Sequence, residues 1–369
     1  EGKMKISRTL ILMTVLMTAL HAEPGQEHGI VYYEPGRFAA WPANGNCWSW
    51  ENEILILHTE AAYHGYEHQH NYDRGKPAFA RFSRSKDGGK TWESERTDVF
   101  WKGEPTQLDH AIDLQHPDFG LRVRDDHFWY TLDRGYTWRG PYQLPDFGFE
   151  NRLTSRTDYL VYDEDTITAF FSVKYSEVKA PGELQDRAFS ATSNDGGLSW
   201  SFYGWMTGYP YQVRSVMPST VRIRDHELLS VVRRRVDAHE QEDFGRMDLN
   251  FIEAQYSPDN GRNWIKRSLV AFTDLSHRNG NPPALARLGD GRLVVLYGFR
   301  GHPFGIRAKI TEDDGETWSH EIILRDEALG PDLGYPEAVS LPDGSVFVCY
   351  YITTPERPEP HIAYTLLRF

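Results

Sequence analysis

Short runs of β-branched and aromatic residues, each bounded by Gly, Asp or Pro, recur along the whole chain. Examples are EILILHTE (53–60), DYLVYDEDTITAFFSVKY (158–175), LLSVVRRR (228–235), LVVLYGF (293–299), SVFVCYYI (345–352) and HIAYTLLRF (361–369). Their lengths and flanks predict strands, and no stretch after residue 22 keeps a helical period. Three longer segments superpose without a gap: MPSTVRIRDHELLSVVR (217–233), NPPALARLGDGRLVVLY (281–297) and YPEAVSLPDGSVFVCYY (335–351). Each predicts a strand, a tight polar turn and a second strand, as in the four-stranded antiparallel units of a propeller.

Between these units an octapeptide repeats. SKDGGKTW (85–92) is followed by TLDRGYTW (131–138), SNDGGLSW (193–200), SPDNGRNW (257–264) and TEDDGETW (311–318). The central aspartates, Asp87, Asp133, Asp195, Asp259 and Asp313, stand 46, 62, 64 and 54 residues apart, the spacing of a repeat architecture. An aspartate can accept bonds from backbone N–H groups just ahead of it, and glycine supplies the positive φ of a tight turn, so each octapeptide predicts a hairpin loop. The terminal tryptophan is expected to pack under that loop, against the sheet. Five such Asp boxes and a sixth unit, 335–369, predict an all-β, six-bladed β-propeller in a single domain, 23–369, although the spacings leave room for seven blades. The sixth unit has three strands of its own. The N-terminal GIVYYEP (29–35) is expected to supply the fourth and close the ring.

Composition narrows the partner. The 369 residues carry a formal charge of -13, which excludes a nucleic-acid surface but not an anionic small ligand held by local arginines. Residues 4–22, MKISRTLILMTVLMTALHA, have the basic start, short apolar run and small final residue of a secretory signal peptide cleaved near Ala22; Glu1, Gly2 and Lys3 precede the expected initiator Met4. A secreted or periplasmic monomer with no membrane span in its mature part is expected. The two cysteines, Cys47 and Cys349, lie near opposite ends, and ring closure would make them neighbours, bridged or as two free thiols.

The residues that open the aligned units, Met217, Asn281 and Tyr335, are expected to face the mouth of the central channel. Asp boxes in a propeller resemble the sialidase superfamily over essentially the whole mature chain, and that resemblance implies a set of site residues to be checked singly. Sialidases hold a substrate carboxylate with three arginines, whose planar forks bind it bidentately. The matching positions are Arg37 in the diverged GRFAAWP (36–42), Arg233, and Arg300 or Arg307 in GFRGHPFGIRAKI (298–310). The family's tyrosine nucleophile corresponds to Tyr335 in GYPEAVSLPDG (334–344), and its aspartate acid to Asp73, twelve positions before Ser85. Beside Asp73 stand His64, His68 and His70, which could act in proton transfer or bind substrate. No cofactor and no metal are expected.

One departure stands out. Where sialidases place a glutamate to take the proton of the tyrosine, this chain has Met217. Glu337, Asp332 or a histidine of the 64–70 segment could replace it. Arg156 and Asp158, opening the third unit in SRTDYL (155–160), are further channel candidates, and Trp41, Trp48 and Trp50 could form a stacking wall for a sugar. The resemblance implies an exo-acting glycoside hydrolase removing terminal sialic acid or a related acidic sugar from a glycan or sialoglycoconjugate. The missing glutamate keeps open a rhamnosidase or lyase acting on uronate-containing polysaccharides, or a non-catalytic glycan-binding propeller.

Overall fold

Neighbouring segments of the chain pair antiparallel into six sheets, the blades of a propeller, in a computed structural model that describes residues 25–65, 70–149, 153–154, 156–174, 186–208, 213–236, 248–274 and 280–368. The apolar segment 4–22 and His68 lie outside the described residues. After β1 (Gly25–Tyr32), blade one holds β2 (Arg37–Ala40), β3 (Asn46–Trp50), β4 (Glu53–Ala62), β5 (Phe79–Ser85) and β6 (Glu93–Thr97). Its inner strand is interrupted: β2 and β3 both pair with β4 and are joined by one helical turn, α1 (Pro42–Gly45). Only glycine fits at the end of that turn, because a Cβ on Gly45 would stand 1.7 Å from the Leu57 carbonyl oxygen.

Blade two is β7 (Gly120–Arg124), β8 (His127–Thr131) and β9 (Arg139–Gln143). Blade three is β10 (Tyr159–Val161), β11 (Ile167–Lys174), β12 (Asp186–Ser193) and β13 (Ser201–Trp205), and blade four is β14 (Val213–Arg224), β15 (Glu227–Val236), β16 (Leu249–Ser257) and β17 (Ile265–Asp274). Blade five follows with β18 (Pro283–Arg287), β19 (Leu293–Phe299), β20 (Gly305–Thr311) and β21 (Ile322–Arg325). Blade six is β22 (Gly334–Ser340), β23 (Val346–Thr354) and β24 (Arg357–Arg368), completed by β1 in the order β1-β24-β23-β22. The N-terminal strand therefore closes the ring, from Gly25 paired with Arg368 to Tyr32 paired with Ile362.

Blade two departs from the expected four strands: three are described, and side chains serve the exposed edge of β7. Trp48 and Trp50 donate their indole N–H groups to the carbonyls of Leu121 (3.0 Å) and Phe119 (2.9 Å). From the other side, the Leu121 N–H donates to the Tyr159 hydroxyl and the Val123 N–H to Thr157 Oγ1. Backbone groups that a strand would have paired are satisfied in this way without one.

Six hydrophobic clusters fill the six seams between blades rather than the blades themselves. The Asp boxes close five of these seams. In the first, Thr91 donates its N–H (2.9 Å) and hydroxyl (2.6 Å) to the Asp87 carboxylate, while Gly89 N–H donates to Ser85 Oγ (2.8 Å). The aspartate reaches four residues on, where the sequence suggested a shorter reach, and the same bonds recur at Asp133, Asp195, Asp259 and Asp313. Each box tryptophan then packs against the preceding blade. Trp92 meets Phe347 and Tyr364 of blade six, Trp138 meets Trp48 and Phe82 of blade one, and Trp200 meets Phe128 of blade two. Trp264 meets Phe170 of blade three, and Trp318 donates to Ser268 of blade four.

At the seam of blades six and one, Cys47 and Cys349 are buried free thiols in hydrogen-bonding contact, and burial first, then that contact, raises the Cys47 thiol. Among the described residues no helix is long and apolar enough to cross a membrane.

Candidate active site at the channel mouth

Three residues that precede prolines, Trp41, Met217 and Tyr335, adopt left-handed φ values of 61°, 58° and 50°. A residue before proline favours extended backbone and a non-glycine residue avoids positive φ, so each conformation costs roughly 1–3 kcal/mol and must be held by its surroundings. Tyr335 is held by Asn281, whose Oδ1 accepts the Tyr335 N–H at 2.8 Å. Asn281 is fully buried, and it can lie so close only because residue 334 is glycine: a Cβ there would be 1.9 Å from the same Oδ1. Met217 sits on a bulge of β14 between Val216 and Pro218, its N–H donating to Ser172 Oγ. The strand itself begins at Val213, four residues before the residue that the sequence alignment takes as its opener.

Three arginines converge on the Tyr335 ring. Arg233, on β15, reaches Met217 Sδ at 3.9 Å and hydrogen-bonds the phenol oxygen. Arg300 donates through Nη2 to the Leu333 carbonyl (3.1 Å) and the Tyr351 hydroxyl (3.4 Å), with its guanidinium carbon 5.7 Å from the centre of the Tyr335 ring. Arg156 is the third, and its buried Nε has no hydrogen-bond partner among the described residues. Burial alone would raise the phenol pKa of Tyr335. The charges of Arg233, Arg300 and Arg156 outweigh it and hold the phenol below the ordinary tyrosine value. The arginines thus favour the phenolate form of Tyr335, which gives the methionine at 217 a physical reading. A glutamate there would pair with Arg233 and cancel the charge that acts on Tyr335.

Beside this cluster stands a buried aspartate, Asp332. It accepts from the Tyr351 hydroxyl (2.7 Å), from His70 Nδ1 (2.9 Å) and from the Asn71 N–H (3.0 Å). His70 also meets Trp41 edge to face, with centroids 5.0 Å apart at 88°. Asp332 thus ties the segment after β4 to the segment before β22 and connects His70 through Tyr351 to Arg300.

Side chains two residues apart on a strand share a face, so the residues two past the openers form a layer about 6–7 Å deeper in the channel. That layer contains Asp158, Ser219 and Glu337, around a cavity of about 240 Å³ shared with Asn46, Cys47 and Trp48. Desolvation raises Asp158 to about 8 despite the bond from Thr220 Oγ1 (2.9 Å), and it raises Glu337 well above the carboxylate range, with Asp158 adding to the effect. Burial thus favours the neutral form of both, in which state neither can take the Tyr335 proton.

Other sequence candidates lie elsewhere. Arg37 pairs with Glu60, a fully buried carboxylate that Arg81 and Arg96 also bind. Burial works against the Glu60 charge, yet these three arginines hold its pKa at about 2. Arg307 is buried on β20, the third strand of blade five, donating to Glu321 and to the carbonyls of Pro303, Ile306 and Arg325. Asp73 is half-buried and turned onto its own loop, where the Gly75 N–H first and Lys76 after it lower its pKa. Trp48 and Trp50 serve the seam between blades one and two; of the three tryptophans, Trp41 is the one beside His70. The structure therefore brings Arg156, Arg233, Arg300, Asn281 and Tyr335 together, with His70 at the side. The sequence carries no signal for Tyr351 as a link, because it stands in an ordinary apolar run.

Residues 121–348 match a family model described as a BNR repeat-like domain. The chain belongs to the BNR repeat-like domain family. Solved structures share the propeller at low identity. A protein of unknown function from Dyadobacter fermentans DSM 18053 is 22% identical, with a TM-score of 0.68 over 93% of this chain and 98% of that one. The α-L-arabinofuranosidase of Fusarium graminearum, in complex with an iminosugar inhibitor, is 14% identical, with a TM-score of 0.56 over 90% and 97%. The NanB sialidase of Streptococcus pneumoniae is 13% identical, with a TM-score of 0.53 over 92% and 68%. No curated protein sequence matches the chain. At such identities these likenesses are of fold, and within the BNR repeat-like family the chemistry has to be argued from the channel mouth.

Proposed function

We propose that the protein is a glycoside hydrolase that removes a carboxylate-bearing sugar, sialic acid or a relative, from the end of a glycan. The observation that carries this reading is the ring of Arg156, Arg233 and Arg300 around Tyr335. Three guanidinium groups at one mouth suit a ligand carboxylate. The glycosidases among the similar propellers support the reaction class. In this reading Tyr335, ionised by the arginines, attacks the anomeric carbon, where a carboxylate nucleophile would be repelled by the acid group of the sugar. The signal-like segment 4–22 supports an exported enzyme.

One observation favours a second reaction of the same site. A tyrosine of lowered pKa with arginines at hand, and methionine where a carboxylate is expected, also suits a lyase. The arginines would neutralise a uronate carboxylate and Tyr335 would remove the adjacent proton. Product masses after incubation with a sialoside and with uronate-containing glycans decide between them. A released acidic sugar that has gained one water supports the hydrolase. An unsaturated, ultraviolet-absorbing uronate transfers the site to the lyase reading, and unchanged glycans with measurable binding overturn both.

A further inference from the structure

Resting on the hydrolase reading, we propose that His70 is the proton donor to the leaving oxygen, with Asp332 as its positioning residue. A glycosidase needs an acid at this point, and the carboxylates nearby do not provide one. Asp73 has the Gly75 N–H and Lys76 already on its oxygens, and Asp158 and Glu337 lie one layer deeper, in the cavity behind the arginines. His70 is at the mouth. Its imidazole keeps 27% of its surface accessible, while Asp332 is buried to 6%.

The geometry fixes the ring. Nδ1 is bound to Asp332 Oδ1 at 2.9 Å, and Trp41 holds the ring edge to face, so Nε2 is the nitrogen left to meet a ligand and has no partner among the described residues. Asp332 is fixed in turn by the Asn71 N–H and the Tyr351 hydroxyl, and Tyr351 accepts from Arg300, which flanks Tyr335. Among the described residues, charged and titratable groups around this corner also include His64, whose N–H donates to the Asn71 carbonyl, Tyr72, with Arg74 over its ring, and Tyr335, against Tyr351. A buried carboxylate behind an imidazole sets its tautomer and holds its orientation, the arrangement that suits proton transfer to a leaving group.

The proton inventory closes. Tyr335 phenolate bonds to the anomeric carbon as the glycosidic C–O bond breaks, and the leaving oxygen takes the proton of His70 Nε2. Neutral His70 then removes a proton from water, whose oxygen bonds to the anomeric carbon and expels Tyr335 as phenolate. One water is consumed, and both groups return to their starting states.

The test compares two sialosides, and in parallel two glucuronides, one of each pair with an alkyl and the other with a dinitrophenyl leaving group. A dinitrophenolate departs without a proton. His70→Asn keeps an amide N–H for Asp332 and removes the acid. In kcat/KM, which reports the step that expels the leaving group, it is expected to lose about 10²- to 10⁴-fold on the alkyl glycoside and less than about tenfold on the dinitrophenyl glycoside. The alkaline limb of the wild-type pH profile should vanish with it. Equal losses on both leaving groups, or no loss on either, overturn the role of His70 and leave the hydrolase reading standing. If wild-type protein cleaves neither pair, the hydrolase reading itself fails. Should His70→Asn fold poorly, Asp332→Asn asks the same question: the alkyl substrate should suffer more than the dinitrophenyl one, and parallel losses count against the inference.

Discussion

The Asp-box seams and the channel mouth are built from the same repeated units, and they treat equivalence in opposite ways. At the seams five octapeptides make the same bonds, the glycine N–H donating to the serine or threonine hydroxyl and that hydroxyl to the aspartate, and each lays a tryptophan on the blade before it. At the mouth equivalent positions hold Met217, Asn281 and Tyr335, and the roles differ as much as the residues do. Asn281 holds the backbone of Tyr335, Met217 touches Arg233, and Tyr335 receives the charge of three arginines. Repetition marks what keeps the ring shut, and divergence at repeated positions marks what acts on a ligand.

The comparison breaks if changes at the mouth cost stability or changes at the seams cost chemistry. The largest effect is expected from Tyr335→Phe. The ring and its packing against Tyr351 remain, while the oxygen is lost, so kcat on the screened substrate should fall on the order of 10⁴-fold or more with the melting temperature unchanged. Steady-state kinetics beside a thermal melt read both. Turnover near the wild-type level would remove Tyr335 from the chemistry.

Trp138→Ala is the mirror experiment. The indole packs on Trp48 (5.1 Å), Phe100 (5.2 Å) and Phe82 (6.4 Å, stacked), in the seam between blades one and two. Its loss should cost about 3 kcal/mol in chemical denaturation and leave kcat at the wild-type value while the protein is folded. A loss of activity in the folded variant would show the seam and the mouth to be coupled.

The ease with which each region reads from sequence follows from the same contrast. A box is local: its donors, acceptor and turn glycine lie within eight residues, and five copies exclude coincidence. The closing strand 29–35 was legible because a three-stranded last unit leaves an edge to fill, and β1 fills it. What a box tryptophan touches is not local, so the sequence suggested packing under its own sheet where the structure has the neighbouring blade. The mouth is less legible still. Arg233 and Arg300 stand where the family pattern places carboxylate-binding arginines, but Arg37 and Arg307 are bound to Glu60 and Glu321, which no spacing announces. Arg156 stands among the residues around Tyr335 because the third blade brings it there. Asp332 joins residues more than 250 positions apart, a contact that only the closed ring makes.

Arg156→Met tests the mouth more finely. A guanidinium whose buried Nε has no partner among the described residues is a liability to the free protein, and methionine fills similar space without charge. The variant should melt at the wild-type temperature or above it, while KM for the acidic substrate rises roughly 10- to 100-fold, the worth of one or two charge-assisted hydrogen bonds. A neutral substrate, if one is turned over, should be affected less. A fall in stability would mean that Arg156 holds the fold rather than a ligand.

The smallest effect concerns the layer below, and its sign is fixed by proton linkage. Desolvation raises Asp158 to about 8 in the folded protein, whereas an aspartate in the unfolded chain titrates near 4. Between these values the fold holds a proton that the unfolded chain has released, so this group makes stability fall as pH rises through the window. Asp158→Asn keeps an acceptor for the Thr220 hydroxyl and removes that dependence. The variant should match wild type at pH 4 and exceed it near pH 8 by about 1 kcal/mol, a gain kept small because the residue is partly exposed. Denaturation curves across the window measure this directly. If the wild-type slope survives in the variant, the proton belongs to Glu337, which shares the cavity; if stability is lost at every pH, Asp158 is part of the frame, and the contrast between mouth and seam ends one layer down.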